Sequence, residues 1–149
     1  MRASKDSRCY VCGPDNPSGL QISFRRDGTQ GSIARYIARA EHGGWNGILH
    51  GGVTFALMDE ALGWALYYQD LPAVTARVET QFYKPVPIGA NLTVRAWVVK
   101  QRRRLFDVHA EVRMEDAENT LLAESNATIY HVDQIDLGTG SEAKEDVIA

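Results

Sequence analysis

Residues 53–68, VTFALMDEALGWALYY, constrain the fold more than any other stretch of this chain. Their length and their Ala, Leu and Met content predict a helix. Apolar side chains run almost all the way round its axis. A helix of that kind cannot lie on a flat sheet with half its surface in water. It has to be wrapped, and the rest of the chain must supply the wrapping.

The material is there. Beyond Pro72 the hydrophobic period changes to two. In residues 92–99, Leu92, Val94, Ala96 and Val98 alternate with Thr93, Arg95, Trp97 and Val99. The next segment sets Phe106, Val108, Ala110, Val112 and Met114 against Asp107, His109, Glu111, Arg113 and Glu115, one buried face and one wet face. Residues 120–132 repeat the pattern, with Leu121, Ala123, Ala127 and Ile129 expected inward. Residues 74–89 form a fourth long strand, whose pairing Pro85 and Pro87 end. Ahead of the helix, residues 20–28 and 31–39 read as a hairpin turning after Asp27-Gly28, and residues 41–52 as a glycine-rich connection. The strands are consecutive, so the class is α+β rather than α/β: one antiparallel sheet curled around a central helix.

With 149 residues, one domain is the simplest reading, expected over residues 9–132 with flexible tails at 1–8 and 133–149. A net charge of −3 lacks the basic footprint of a nucleic-acid binder. No apolar run reaches the roughly 18–20 residues of a membrane span. The first 13 residues hold no apolar signal core, so a cytoplasmic location is expected. Two cysteines do not make a disulfide framework.

Four stretches carry a family resemblance: CYVCGPDNPSGL, GILHGGVTFALMDEALGWA, VTARVETQFYKPVPIG and the arginine turn before LFDVHAEV. Together, over residues 9–132, they resemble the hotdog-fold acyl-CoA thioesterases, and within them the phenylacetyl-CoA-thioesterase-like subgroup. The resemblance implies a hotdog fold, an acyl-CoA substrate (aliphatic or aryl, small or medium), no cofactor, and a homodimer or dimer of dimers acting without nucleic acid or membrane. Two rivals stand beside it. A hotdog hydratase or dehydratase would use a different arrangement of His and carboxylate, which the sequence does not show. A non-hydrolytic acyl-CoA sensor would carry a DNA-binding helix-turn-helix, for which there is no room.

Thioester hydrolysis needs a group that polarises the carbonyl and one that attacks it or activates water. A helix N-terminus offers backbone N–H groups and the positive end of a dipole to an oxyanion. Gly51 and Gly52 supply such donors without side chains in a ligand's way. Asp59, at the register the family uses, suits a general base or nucleophile. It lies eight residues beyond Gly51, about 12 Å along the axis at about 1.5 Å per residue. One carbonyl cannot touch both, so Gly51 of one subunit is expected to face Asp59 of another.

Glu60 is the rival carboxylate, turned about 100° from Asp59 and expected to order a loop or pair across the interface. His50 either shapes the helix start or bonds the substrate carbonyl. Some relatives carry an Asn six residues before this His; here that position is Gly44, and the nearby amide is Asn46. Thr75 stands where relatives carry a Ser or Thr that bonds the water or carboxylate. Arg102, Arg103 and Arg104 suit the phosphates of coenzyme A. Cys9 and Cys12 have the spacing of a zinc-binding pair, yet no second pair or spaced His pair follows. His42 and His50 would complete a site only if the fold brought them near. Absent that, no metal is expected, and the motif reads as a shaped loop over the entrance.

Overall fold

The computed structural model describes residues 7–133. The tails expected at 1–8 and 133–149 lie outside the described residues, apart from Ser7, Arg8 and Asp133. Strands β1 (Arg25–Asp27) and β2 (Gly31–Ile37) precede the helix α1 (Gly51–Tyr67). Strands β3 (Ala73–Phe82), β4 (Asn91–Arg102), β5 (Leu105–Met114) and β6 (Leu121–His131) follow. They form a six-stranded sheet in the order β1-β2-β4-β5-β6-β3, antiparallel at every pairing. The sheet curls around α1, which packs on strands from β2 to β3, giving the hotdog fold.

The alternation seen in the sequence sets the inner face. Leu92, Val94 and Ala96 of β4 are buried with Phe106, Val108, Ala110 and Val112 of β5, against Leu57, Met58, Ala61, Leu62, Ala65 and Leu66 of α1. Ala96 and Ala110 pair across β4 and β5, and their small side chains leave room for the helix. Buried polar groups on this face are satisfied, as close packing requires. The Ser32 hydroxyl donates to the Ala61 carbonyl at 2.7 Å, and the Thr80 and Ser125 hydroxyls lie 2.8 Å apart.

Two expectations need correction. The first strand is three residues long rather than 20–28, because the upstream backbone pairs elsewhere. Leu20 N donates to Tyr10 O and Ile22 N to Val11 O, which binds this segment to the N-terminal loop. In β6, Leu122 rather than Leu121 reaches the core, at 1% exposure. The register shifts between Val112 and Arg113, so Leu122 is an extra residue in its strand and the alternation skips there.

The wrapping of α1 is incomplete. Val53, Ala56, Asp59, Gly63 and Tyr67, spaced three or four apart, form a half-buried stripe along the helix. Beside it runs β3, the last strand of the sheet, with one edge unpaired among the described residues. Among the described residues, no helix is long and apolar enough to cross a membrane.

Candidate active site

A glycine-rich loop delivers the chain into α1 and is tied down by its own backbone. His50 N donates to His42 O at 3.0 Å and Leu49 N to Val86 O at 2.9 Å. His42 anchors this loop from a buried position, its Nδ1 2.6 Å from the Tyr36 hydroxyl. Burial, and then the nearby Arg39 charge, pull its pKa below the usual histidine value.

The first turn of a helix leaves four N–H groups without intrahelical partners. Here Val53 N and Thr54 N both bond the His50 carbonyl, and Gly52 N donates to His50 Nδ1 at 2.8 Å. His50 is therefore the N-cap. Among the described residues, no acceptor is paired with the Gly51 N–H. The two glycines thus divide their duties. A Cβ on Gly52 would sit 3.0 Å from His50 Nδ1, whereas one on Gly51 would meet only Phe82 Cε1, at 3.9 Å. Gly52 makes room for the cap, and Gly51 borders open space where a side chain would stand. Gly43, Gly44, Trp45, Leu49, His50 and Gly51 line a cleft of about 470 Å³ in front of it, within the usual range of about 300–1,000 Å³ for small-molecule sites. Gly44 is pressed against the cap, for a Cβ there would lie 3.1 Å from His50 Cα. Asn46 is exposed on the outer part of the same loop, among Ala40, Gly47 and Ile88.

Two turns on, Asp59 stands on the uncovered stripe of α1 and accepts a hydrogen bond from the exposed Thr75 hydroxyl at 3.4 Å. Thr75 precedes a bulge in β3, where Ala76 drops out of the pairing with β6. Glu60 points to the other flank and is buried, at 9% exposure. Within one chain, Asp59 is thus at the Thr75 end of β3, and Gly51 is at the Phe82 end.

The profile of the thioesterase superfamily matches residues 46–120, which contain Leu49, His50 and Gly51 of the cleft, α1 and Thr75. The chain belongs to this superfamily. Its structure is similar to that of a thioesterase superfamily protein, RHA08564 (20% identity, TM-score 0.77, covering 83% of this chain and 60% of that one). It is also similar to a variant of the phenylacetic acid degradation protein PaaI from Thermus thermophilus (26% identity, TM-score 0.69, 76% and 95% covered). The E. coli PaaI protein, from a phenylacetic acid degradation operon, aligns at 22% identity with a TM-score of 0.70, over 76% of this chain and 80% of its own. No curated protein sequence matches the chain.

In this thioesterase-superfamily chain, the arginines of the β4–β5 turn lie far from Gly51. Arg102 is held by Asp107 through contacts of 3.0 and 2.8 Å, and Arg104 by Asp133 at 2.8 Å. Arg103 sits at the tip with φ +57°, and no carboxylate among the described residues pairs with it. The turn meets the end of β6 and the start of β3, since Arg104 O accepts from His131 N and His131 Nδ1 lies 2.8 Å from Pro72 O. It therefore shares the Asp59 half of the chain.

Two aromatic groups lie near the helix start: Trp45, 84% exposed, lines the cleft, and Phe82 Cε1 is 3.9 Å from where a Cβ on Gly51 would stand. Trp45 was not singled out from the sequence, although a large apolar residue within a run of glycines is a signal that could have found it.

The N-terminal motif folds as a closed loop against α1. His42 and His50 do not join its cysteines; Glu60 does. Cys9 Sγ, Cys12 Sγ and a Glu60 oxygen lie within 4.8 Å of one another, with Cys9 Sγ 3.7 Å from Glu60 Oε1. Burial raises the Cys12 pKa strongly, and the neighbouring Glu60 and Cys9 add to the rise. The indole N–H of Trp64 donates to the same Glu60 oxygen at 3.1 Å.

Proposed function

We propose that the chain is an acyl-CoA thioesterase, hydrolysing a small or medium aliphatic or aryl acyl-CoA to the free acid and coenzyme A. The observation that carries this reading is the Gly51 N–H, which no described residue pairs, beside a cleft and next to a cap that satisfies the Gly52 N–H. In that position it donates to the thioester oxygen and gains strength as charge develops there. Asp59 supplies the other half. As general base it takes a proton from water while the water oxygen bonds to the carbonyl carbon; as nucleophile it forms that bond itself, and after the C–S bond breaks a water molecule cleaves the resulting mixed anhydride to the free acid and the regenerated carboxylate. Collapse of the tetrahedral intermediate breaks the C–S bond, and the departing thiolate takes up a proton. Thr75 orients Asp59 through its hydroxyl.

The two halves belong to different subunits. They are about 12 Å apart along one helix, and β3 carries Thr75 near its start and Phe82 at its end. Two β3 edges paired antiparallel bring the Thr75 end of one chain beside the Phe82 end of the other. Asp59 then approaches the partner's helix start, and the half-buried stripe of α1 is covered. The same pairing carries the arginine turn toward the partner's cleft, where Arg102, Arg103 and Arg104 suit the coenzyme A phosphates. An unpaired edge strand of ten residues is otherwise an aggregation hazard, which such pairing removes.

Release of free thiol from a panel of acyl-CoAs, read with a thiol reagent, tests the reaction. Sedimentation of the same sample tests the assembly. Turnover by a species that sediments as a dimer or larger is expected. Binding without thiol release would point to a sensor, and full activity in a monodisperse monomer would overturn the shared site.

A further inference from the structure

Among the described residues, two clusters of potential metal donors lie outside the proposed catalytic groups: His109 with Glu111 and Glu124, and Cys9 with Cys12 and Glu60. The first is already engaged on the outer face of the sheet. Arg113 Nε holds Glu111 at 2.8 Å, and His109 Nδ1 lies 2.8 Å from the Asn126 side-chain oxygen. The second differs in chemistry and in construction.

Its two sulfurs are positioned by a turn that has little freedom. Gly13 N donates to Cys9 O at 2.9 Å, which closes the loop immediately after Cys12. A Cβ on Gly13 would lie 2.4 Å from Cys9 N and 2.5 Å from Cys9 O, so only glycine fits the turn. Asn16 clamps it from outside, donating through Nδ2 to Arg8 O at 3.1 Å and accepting from Ser18 N at 3.0 Å. The third donor comes from a different element, the buried middle of α1. Trp64 orients it through its indole N–H, and Trp64 is itself packed beside Phe24 and Tyr68. A metal-binding carboxylate is usually held by such an outer hydrogen bond.

The donor set points to the ion, and the Cys9–Glu60 contact, a thiol-to-carboxylate hydrogen bond in the structure, has a length it can take over. Two thiolates and one carboxylate suit zinc, as softer and harder ligands it accepts together. Tetrahedral bonds of about 2.3 Å to sulfur and about 2.1 Å to oxygen set those atoms about 3.6 Å apart. The Cys9–Glu60 separation is 3.7 Å. We propose that Cys9, Cys12 and Glu60 bind one zinc ion, with water in the fourth position, tying the N-terminal loop to the flank of α1 opposite Asp59. Both thiols release their protons to solvent as the two Zn–S bonds form, and the doubly charged ion offsets most of the negative charge of the two thiolates and the carboxylate.

The reduced full-length chain, stripped with a chelator, can be titrated with cobalt(II) as a spectroscopic substitute and then with zinc. Thiolate-to-cobalt absorption that saturates at one equivalent per chain, bleaches on adding zinc, and accompanies a higher melting temperature in zinc is expected. The C9S/C12S double variant should lose the absorption. Glu60→Gln should keep thiolate absorption but bind at least tenfold more weakly, and His109→Ala should bind as the parent does. A reduced parent chain with two titratable thiols and no such absorption would overturn the site. So would a band surviving in C9S/C12S, a band lost in His109→Ala, or cysteines that remain joined as a disulfide in reductant. None of these readouts uses hydrolysis, so the site stands or falls apart from the thioesterase reading.

Discussion

On the flank of α1 that carries Asp59, the carboxylate meets a threonine hydroxyl on an edge strand and stays half open to whatever covers that stripe. On the flank that carries Glu60, one residue on, the carboxylate meets an indole N–H and two thiols from the N-terminal loop, Cys9 being 51 residues earlier. The two groups have nearly the same chemistry and share a peptide bond. A turn of about 100° per residue gives them different neighbours, and neighbours decide what a carboxylate does. The same division separates Gly51 from Gly52, where one N–H is satisfied by the cap and the other is not.

The largest expected effect breaks the first contrast directly. Asp59→Asn should lower kcat by about 10²–10⁴-fold, the usual contribution of a positioned general base, with folding and assembly preserved. Unchanged turnover would remove Asp59 from the mechanism. Glu60→Ala should act in the opposite sense, costing stability rather than rate. It takes away the acceptor of the Trp64 N–H in a buried place, a loss of about 1–3 kcal/mol readable in denaturant unfolding. A rate loss as great as that of Asp59→Asn would show that the two acids have been assigned the wrong way round.

The glycines sharpen the second contrast. Gly51→Ala should leave stability intact and lower kcat/KM by about tenfold, about 1.4 kcal/mol, by crowding the approach to its N–H. Gly52→Ala should instead displace His50 and cost about 0.5–2 kcal/mol of stability, the worth of a helix cap. The smallest effect concerns the loop that delivers the helix start. His42 has a folded pKa below its ordinary value of 6.5, so the unfolded chain takes up this proton first as the pH drops. Its contribution is complete above about pH 6.5 and declines as the pH falls below that. The melting temperature should therefore drop across that window, and less so in His42→Gln.

Much of this was legible in the sequence because it rests on local periodicity. The alternation through β4 and β5, the wrapped helix and the position of Asp59 relative to Gly51 are all functions of spacing along the chain. The errors have a common origin in non-local pairing. Residues 20–22 look like strand but bond the loop before them, and the bulge that turns Leu122 inward exists only opposite β5. Gly51 and Gly52 look equivalent until the His50 ring is placed. Likewise, a local spacing rule does not reveal that Glu60, from a distant helix, lies beside Cys9 and Cys12.

By itself, then, the sequence determined that one apolar helix must sit inside a curled antiparallel sheet, and that Gly51 and Asp59 are too far apart on it to serve one carbonyl alone. Both follow from period and rise, which every helix and strand obeys. Only the tertiary structure decided which N–H stays unpaired, which flank of α1 is left open beside an unpaired strand edge, and which carboxylate meets the cysteines. Those depend on rotation about the helix axis and on contacts between distant segments, and packing of the whole domain sets both.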